Sequence, residues 1–343
     1  MNPNQKKNII YSIVLLASVA LVWWVRNQPE PATAEKSAYT TVRGQTMGTT
    51  YSIKYQNEQQ PSLKPGIDSL LEAFNQSVNH YLPDSEITRF NQQDTLYFDL
   101  PYFYPVLKCS NEIVRATNGA FDPTVAPLVN AWGFGPEDQR LPDNTTIDSL
   151  LQLVGFDKIE YTADYVTKTT PDVSLNFSAI AKGGGVDVVG DFLQSKGIED
   201  FMVEIGGEVL CQGVNDKSET WRIGIDDPNQ AGSMSAAIAL NNQAIATSGN
   251  YRNYYEVDGK RYAHTIDPKT GQQVTHSVLS VSVIADDCMT ADGYATAFMV
   301  LGLEPTKEIV AQNPSLEVLI IYDENGETKT FQTEGLKEMI SSS

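Results

Sequence analysis

At 343 residues the chain is longer than one small domain needs and shorter than three would fill. It carries 24 Lys and Arg against 43 Asp and Glu, a formal charge of −19; with Lys6, Lys7 and Arg26 set aside as part of an acid-free N-terminus, the remaining 21 cations and 43 acids leave −22. A body that acidic repels phosphate backbones and anionic lipid, so no nucleic acid is expected as a partner, and 41% hydrophobic against 20% charged residues excludes wholesale disorder.

Ile9–Val25 is a run of 17 residues without a charge, at the short end of what spans a bilayer. Lys6 and Lys7 precede it, Trp23 and Trp24 sit where an interfacial aromatic belt belongs, and Glu30 and Glu35 follow. The positive-inside rule then places residues 1–8 in the cytoplasm and the bulk of the chain across an inner membrane, on the periplasmic side. The alternative is a signal peptide cleaved at the small-x-small site Ala32-Thr33-Ala34. Because that site lies well beyond a long apolar run, an uncleaved anchor over 9–25 is favoured. Residues 26–38, with Pro29 and Pro31, read as a tether, and no nearby cysteine offers a lipid attachment point.

Residues 39–343 show no second linker, repeat or low-complexity tract. Thr41–Tyr55 alternates like a strand interrupted at Met47-Gly48-Thr49. Leu63, Ile67, Leu70, Leu71, Phe74 and Val78 recur at helical spacing, and Asp84-Ser85 can cap a short helix through Phe90. Pro101–Asn118 reads as a helix stopped by Gly119, and Asp148–Val154 as another ended by Gly155. Val173–Asn176 reads as a short strand leading into a helix from Ala179 to Lys196. Strands are then expected at Phe201–Ile205, Val209–Gln212, Trp221–Ile225, Ser235–Leu240 and Ala244–Thr247. Tyr254–Val257 and Lys260–His264 flank the hairpin signal Asp258-Gly259. Val278–Ala285 is a strand, Asp287–Leu301 a helix, and Leu316–Tyr322 with Thr328–Phe331 a closing hairpin. Meandering antiparallel strands with interspersed helices make an α+β domain, and no G-x-G-x-x-G follows a first strand to mark a Rossmann site. Cys109, Cys211 and Cys288 are odd in number and widely spaced, which suits buried apolar residues better than a disulfide framework.

Four segments carry chemistry. Ser178–Asp187 places three consecutive glycines inside a helix, each about 1 kcal/mol worse than alanine; either a neighbour presses close, or the backbone approaches a ligand with Lys182 at the positive end of the helix dipole. Asp292 and Thr296 stand at i and i+4, projecting two hard oxygens suited to Mg²⁺ from one helix face, although a back-bonded Thr beside a solvated Asp has the same spacing. His264 opens a turn through Asp267, Pro268 and Gly271; a strand-end His is commonly structural, but beside a phosphate and a hydroxyl it suits a general base. Gly119–Val125 runs from a helix end into an Asp-Pro turn, while Tyr81 and the cluster Tyr251, Tyr254 and Tyr255 offer rings either for packing or for stacking on a planar ligand.

In this order the segments resemble the FAD:protein FMN transferases, the ApbE-like flavin transferases. The matching residues are Met47-Gly48-Thr49, Tyr81 with Asp84–Ile87, Gly119–Thr124, Ala181-Lys182-Gly183 with Asp187, Gly206-Gly207, Thr247–Tyr251, His264–Gly271 and Ala291–Thr296, covering about 40–303. The resemblance implies a T-fold-related single catalytic domain and transfer of FMN from FAD to an acceptor threonine, with AMP leaving. It implies Mg²⁺ held by Asp292, Thr296 and the carbonyl of Ala179, and Lys182 on the FAD phosphates. Met47, Tyr81, Ala120, Phe121, Asp122, Asn176, Thr265 and Ile266 become flavin and adenine contacts, and His264, Asp292 and Lys182 the residues nearest the chemistry. Subunits of Na⁺-pumping NADH:quinone oxidoreductase or Rnf-type complexes become the expected acceptors. A metal-dependent FAD pyrophosphatase and a non-catalytic FAD carrier are the rival readings. Two positions depart from the family pattern: Asn176 stands where Asp is usual, and Gly184 replaces a bulkier residue, which removes bulk from the pocket wall.

Overall fold

The computed structural model describes residues 2, 38–57, 61–134, 141–228, 230, 232–249, 254–257, 260–263 and 265–341, with only the backbone of 254–257 and 260–263. The expected anchor 9–25, the tether up to Ser37, His264 and Tyr251 lie outside the described residues. Among the described residues no helix is long and apolar enough to cross a membrane.

From Ala38 onward the chain folds as one unit. In chain order its strands are β1 (Tyr39–Thr46), β2 (Thr49–Gln56), β3 (Thr95–Tyr97), β4 (Ile159–Tyr161), β5 (Tyr165–Lys168), β6 (Phe201–Ile205), β7 (Glu208–Gln212), β8 (Trp221–Asp226), β9 (Met234–Leu240), β10 (Gln243–Gly249), β11 (Tyr254–Val257), β12 (Lys260–Ala263), β13 (Val278–Ala285), β14 (Glu317–Glu324) and β15 (Glu327–Gln332). Its helices are α1 (Lys64–Val78), α2 (Glu86–Gln92), α3 (Phe103–Ala116), α4 (Ala126–Ala131), α5 (Asn144–Leu151), α6 (Ala181–Ser195), α7 (Cys288–Leu301), α8 (Leu303–Gln312) and α9 (Glu334–Ser341). Eight strands form one antiparallel sheet in the order β1-β2-β6-β7-β10-β13-β14-β15; β3-β5-β4, β8-β9 and β11-β12 are satellites. The mainly antiparallel α+β architecture is the one the sequence pattern predicts.

Strand alternation divides the core between the two faces of the sheet. Val281 and Val283 of β13 and Val318 and Ile320 of β14 join the larger cluster with Phe177, Ala291 and Phe298. Ile284, Leu319 and Ile321 point the other way, toward Trp221, Ile238 and Leu336. A sheet covered on both sides has no solvent face, which is why β13 is buried almost throughout, Ser280 and Ser282 included. Helix α6 packs on β6 and β7, and α7 on β10 and β13, so the two helices meet above the middle of the sheet.

Local chemistry fixes the ends of these elements. Met47 (φ 48°) and Gly48 (φ 71°) make the two-residue turn between β1 and β2, and a left-handed Met is uncommon. Ser85 caps α2 through Thr88 N, and Asp143 caps α5 through Thr146 N, which moves that helix to 144–151 rather than 148–154. Val173–Asn176 is not a strand. Val173, Leu175 and Phe177 are buried in alternation, but Leu175 is gripped by a side chain: Asn91 Nδ2 donates to its carbonyl at 2.9 Å and its N–H donates to Asn91 Oδ1 at 2.8 Å. One amide imitates a strand neighbour there. Residues 178–180 are turn, so α6 begins at Ala181 rather than Ala179. All three cysteines are free thiols.

Candidate active site

The site grows from the crossing of two helix N-termini. A Cβ on Gly183 would lie 2.3 Å from the carbonyl oxygen of Cys288 and 2.8 Å from Met289 Cα, so the backbones of α6 and α7 touch there and no side chain fits. Two acids bind this crossing reciprocally. Asp187 of α6 accepts from Cys288 N and Met289 N of α7, both at 2.8 Å, while Asp292 Oδ2 of α7 accepts from Gly183 N of α6 at 3.0 Å. Gly183 is the third residue of α6, so its N–H is one of the free donors at the start of the helix, and Asp292 takes it. Ile180 (φ −149°, ψ −16°) is not helical, so the Ala179 carbonyl lies outside the helical ladder. The positive ends of two helix dipoles thus meet around buried carboxyl groups. Burial, and after it the neighbouring Asp287, pushes Asp187 up to about 8 against the pull of its two N–H bonds. Burial also raises Asp292, opposed by Lys182 and the Gly183 amide.

Lys182, in the first turn of α6, reaches across to Glu208 at the start of β7 and donates to its Oε1. Burial works to lower its ammonium, but Asp292 and Glu208 outweigh it and hold Lys182 above the usual lysine value. Glu208 is 2% exposed, and its second oxygen has no partner among the described residues. Burial first, then Asp292, raises Glu208 to about 8, with Lys182 pulling the other way. Glu208 follows the left-handed pair Gly206 (φ 60°) and Gly207 (φ 104°), a turn that passes over the Lys182 stem. Sequence reading marked that turn but missed Glu208; the available signal was an acid opening the apolar strand EVLCQ.

Asp292 and Thr296 share one face of α7, and Thr296 Oγ1 lies 3.3 Å from Ser248 Oγ on β10, a second residue that was missed. The Asp292 carboxylate and the Thr296 hydroxyl are hard oxygen donors on α7, and among the described residues no cluster of three His, Cys, Asp or Glu gathers into a metal site. Met47 leans its methyl on α6, where a Cβ on Gly185 would come within 2.4 Å of it. Phe74 stands beside Gly184, with its ring edge 3.0 Å from an added Cβ, so α1 fills the space a side chain at Gly184 would enter.

The remaining predicted contacts surround this centre unequally. Tyr81 is 58% exposed and rests on the His80 ring with centroids 4.1 Å apart. Ala120 and Phe121 are buried. Both Asp122 oxygens are engaged internally: Oδ1 accepts from Thr124 N at 2.8 Å and Thr124 Oγ1 at 2.6 Å, and Oδ2 from Phe156 N at 3.0 Å. Asp122 therefore fixes the loop through both oxygens. Asn176 ties its N–H to Pro123 O and accepts Ser178 N at 2.8 Å, linking the same loop to the start of α6. Thr265 and Ile266 are buried. A cavity of about 850 Å³ opens beside Asp122, between Arg115, Asn118, Phe156 and Tyr161, but neither Lys182 nor Asp292 lines it.

The family model described as the ApbE family matches residues 47–320, from the Met47 turn to the middle of β14. The chain belongs to the ApbE family. The FAD:protein FMN transferase of Vibrio cholerae serotype O1 is 41% identical over 342 residues, covering 96% of this chain and 98% of its own length. That of Haemophilus influenzae is 37% identical over 311 residues, covering 86% and 90%. The structure titled flavin transferase ApbE from Vibrio cholerae superposes with a TM-score of 0.81 at 38% identity, covering 88% of this chain and 99% of that one. ApbE membership and the fold are therefore as the motif order implied.

Proposed function

We propose that the chain transfers FMN from FAD to a threonine hydroxyl of an acceptor protein and releases AMP. The relatives named FAD:protein FMN transferase support flavin transfer, and the observation that carries it is the buried centre where Asp292 and Glu208 face Lys182 at the start of α6. Asp292, Thr296 and Ala179 O fit Mg²⁺: a carboxylate raised by burial and held by one amide gains from a hard cation, and one carboxylate with neutral oxygens leaves positions for phosphate and water. Bound there, Mg²⁺ supplies Lewis-acid neutralisation of pyrophosphate charge.

Lys182 holds a charged ammonium at the site and meets the phosphates from the positive end of α6. As the threonine Oγ bonds to the FMN phosphorus, the P–O bond to AMP breaks, its electron pair leaves with AMP, and Lys182 offsets that charge. His264, next to the buried Thr265 and Ile266, takes the hydroxyl proton. Met47, Tyr81, Ala120 and Phe121 contact the rings, while Asp122 and Asn176 shape the wall from behind through their loop bonds. Residues 9–25 anchor the enzyme in the inner membrane with its catalytic domain periplasmic, facing flavin-carrying subunits of membrane redox complexes.

Incubating the full chain with FAD and Mg²⁺, with and without an acceptor protein, and measuring AMP tests the reading. AMP that forms only with acceptor supports it. Equal release without acceptor means a pyrophosphatase, and FAD retention with no AMP in either arm means a carrier.

A further inference from the structure

We propose that Asp187 is a positioning residue of the active site: by seating the first two amides of α7 it fixes Asp292 against Gly183 and, through the helix, places Thr296 one turn further along. The inference rests on reading Asp292 and Thr296 as metal ligands.

The helix does not need Asp187 in order to begin. Asp287 already caps α7 in the ordinary way, accepting Thr290 N at 2.8 Å and Thr290 Oγ1 at 2.9 Å. Asp187 arrives from another helix, about a hundred residues earlier, and takes the Cys288 and Met289 amides in addition. Burying a carboxyl group there costs desolvation, and its two bonds go entirely to fixing where α7 starts relative to α6.

That start determines the site. Cys288, Asp292 and Thr296 form one i, i+4, i+8 row, so an amide held at Cys288 sets the carboxylate one turn along and the hydroxyl two turns along. The row meets α6 at its start, where Gly183 N meets Asp292 and the Cys288 carbonyl fills the space a Gly183 side chain would need, and reaches Ser248 of β10 at Thr296. A slide of α7 would lengthen the Asp292–Gly183 bond and carry Asp292 and Thr296 out of place together. The paired acids therefore act as one register lock with opposite assignments, Asp187 holding the frame and Asp292 facing the ligand.

The test uses the full chain as wild type, Asp187→Asn, Asp187→Ala and the control Glu86→Gln. Glu86 is a buried carboxyl group that accepts two backbone amides, Asp99 N and Leu100 N, away from this crossing. FAD binding is followed by flavin fluorescence while Mg²⁺ is titrated, with melting temperatures recorded in parallel. All three variants should melt lower, but only the Asp187 variants should need roughly 10- to 100-fold more Mg²⁺ for half-maximal FAD binding, the range for residues that orient metal ligands. Asp187→Asn, which keeps the shape and one acceptor, carries the test if Asp187→Ala does not fold. Wild-type Mg²⁺ dependence in the Asp187 variants, with only melting lowered, overturns the proposal and leaves the metal reading standing. Mg²⁺-independent FAD binding by the wild type overturns both.

Discussion

Gly183→Ala separates tertiary contact from helix propensity. Propensity alone favours the change by about 1 kcal/mol, because Gly183 lies inside α6. The crossing opposes it. Opening the 2.3 Å approach between the new Cβ and Cys288 O to an ordinary 3.4 Å moves the helix starts apart by about 1 Å. Overpacking of this kind costs about 1–3 kcal/mol, and loss of the Gly183–Asp292 bond about 1.5–3 kcal/mol more. After the propensity gain, the net loss is about 1.5–5 kcal/mol, or roughly 3–10 °C in melting temperature at about 2 °C per kcal/mol for a domain of this size. Gly184→Ala is the matched comparison: its Cβ meets the Phe74 ring edge at 3.0 Å and the Met289 methyl at 3.7 Å, side chains that can yield, so the change should be near neutral. Thermal and urea unfolding of the full chain measure both. A Gly183→Ala variant as stable as wild type, or more stable, would refute the contact between helix starts and the register lock built on it.

Asp292→Ala should abolish AMP formation in the acceptor assay while the protein stays folded, because it removes the buried carboxylate but leaves α7 seated on Asp187; retained turnover would count against Asp292. Chelating Mg²⁺ should weaken FAD binding by the wild type, and an affinity indifferent to chelation would remove the metal from the reading. Cys109, raised to about 12, and Cys211 and Cys288, also raised by burial, should resist a thiol reagent at pH 8 in the folded enzyme and react together once it is unfolded; prompt labelling of the native protein would contradict their burial. Asp187 keeps its proton up to about 8 in the fold, facing Asp287 and Asp191, against 3.8 when unfolded. The folded state then binds a proton that the unfolded chain has released, so wild-type stability falls as pH rises from about 4 to about 8 and is flat above. Asp187→Asn has no such proton, so the stability gap between the two should narrow across that window; a widening gap would contradict the assignment.

Much of this was legible in the sequence because the signals were local. The Met47-Gly48 interruption marked a hairpin, Asp258-Gly259 separated two strands whose backbones are present, and the i, i+4 pair Asp292 and Thr296 does share a helix face. What was hidden depends on partners distant in sequence. The three glycines of α6 looked like one ligand cradle, yet each answers to a different neighbour: the α7 backbone at Gly183, Phe74 at Gly184 and Met47 at Gly185. Val173–Asn176 alternates like a strand, but nothing local shows that Asn91 would supply its partner. Glu208 reads as an ordinary charged strand end until the fold buries it against Lys182. Asp122 reads as a ligand contact, and only the fold shows that its oxygens also accept from Thr124 and Phe156. The small sheet β3-β5-β4 escaped notice because strands of three and four residues carry too little alternation to register.

The central claim is group transfer to a protein hydroxyl, and intact mass spectrometry of the acceptor tests it most directly. With the full chain, FAD and Mg²⁺, the acceptor should gain one FMN phosphoester, and that gain should vanish when its target threonine is replaced by alanine. An acceptor of unchanged mass, alongside FAD bound or split by a folded enzyme, would contradict the account.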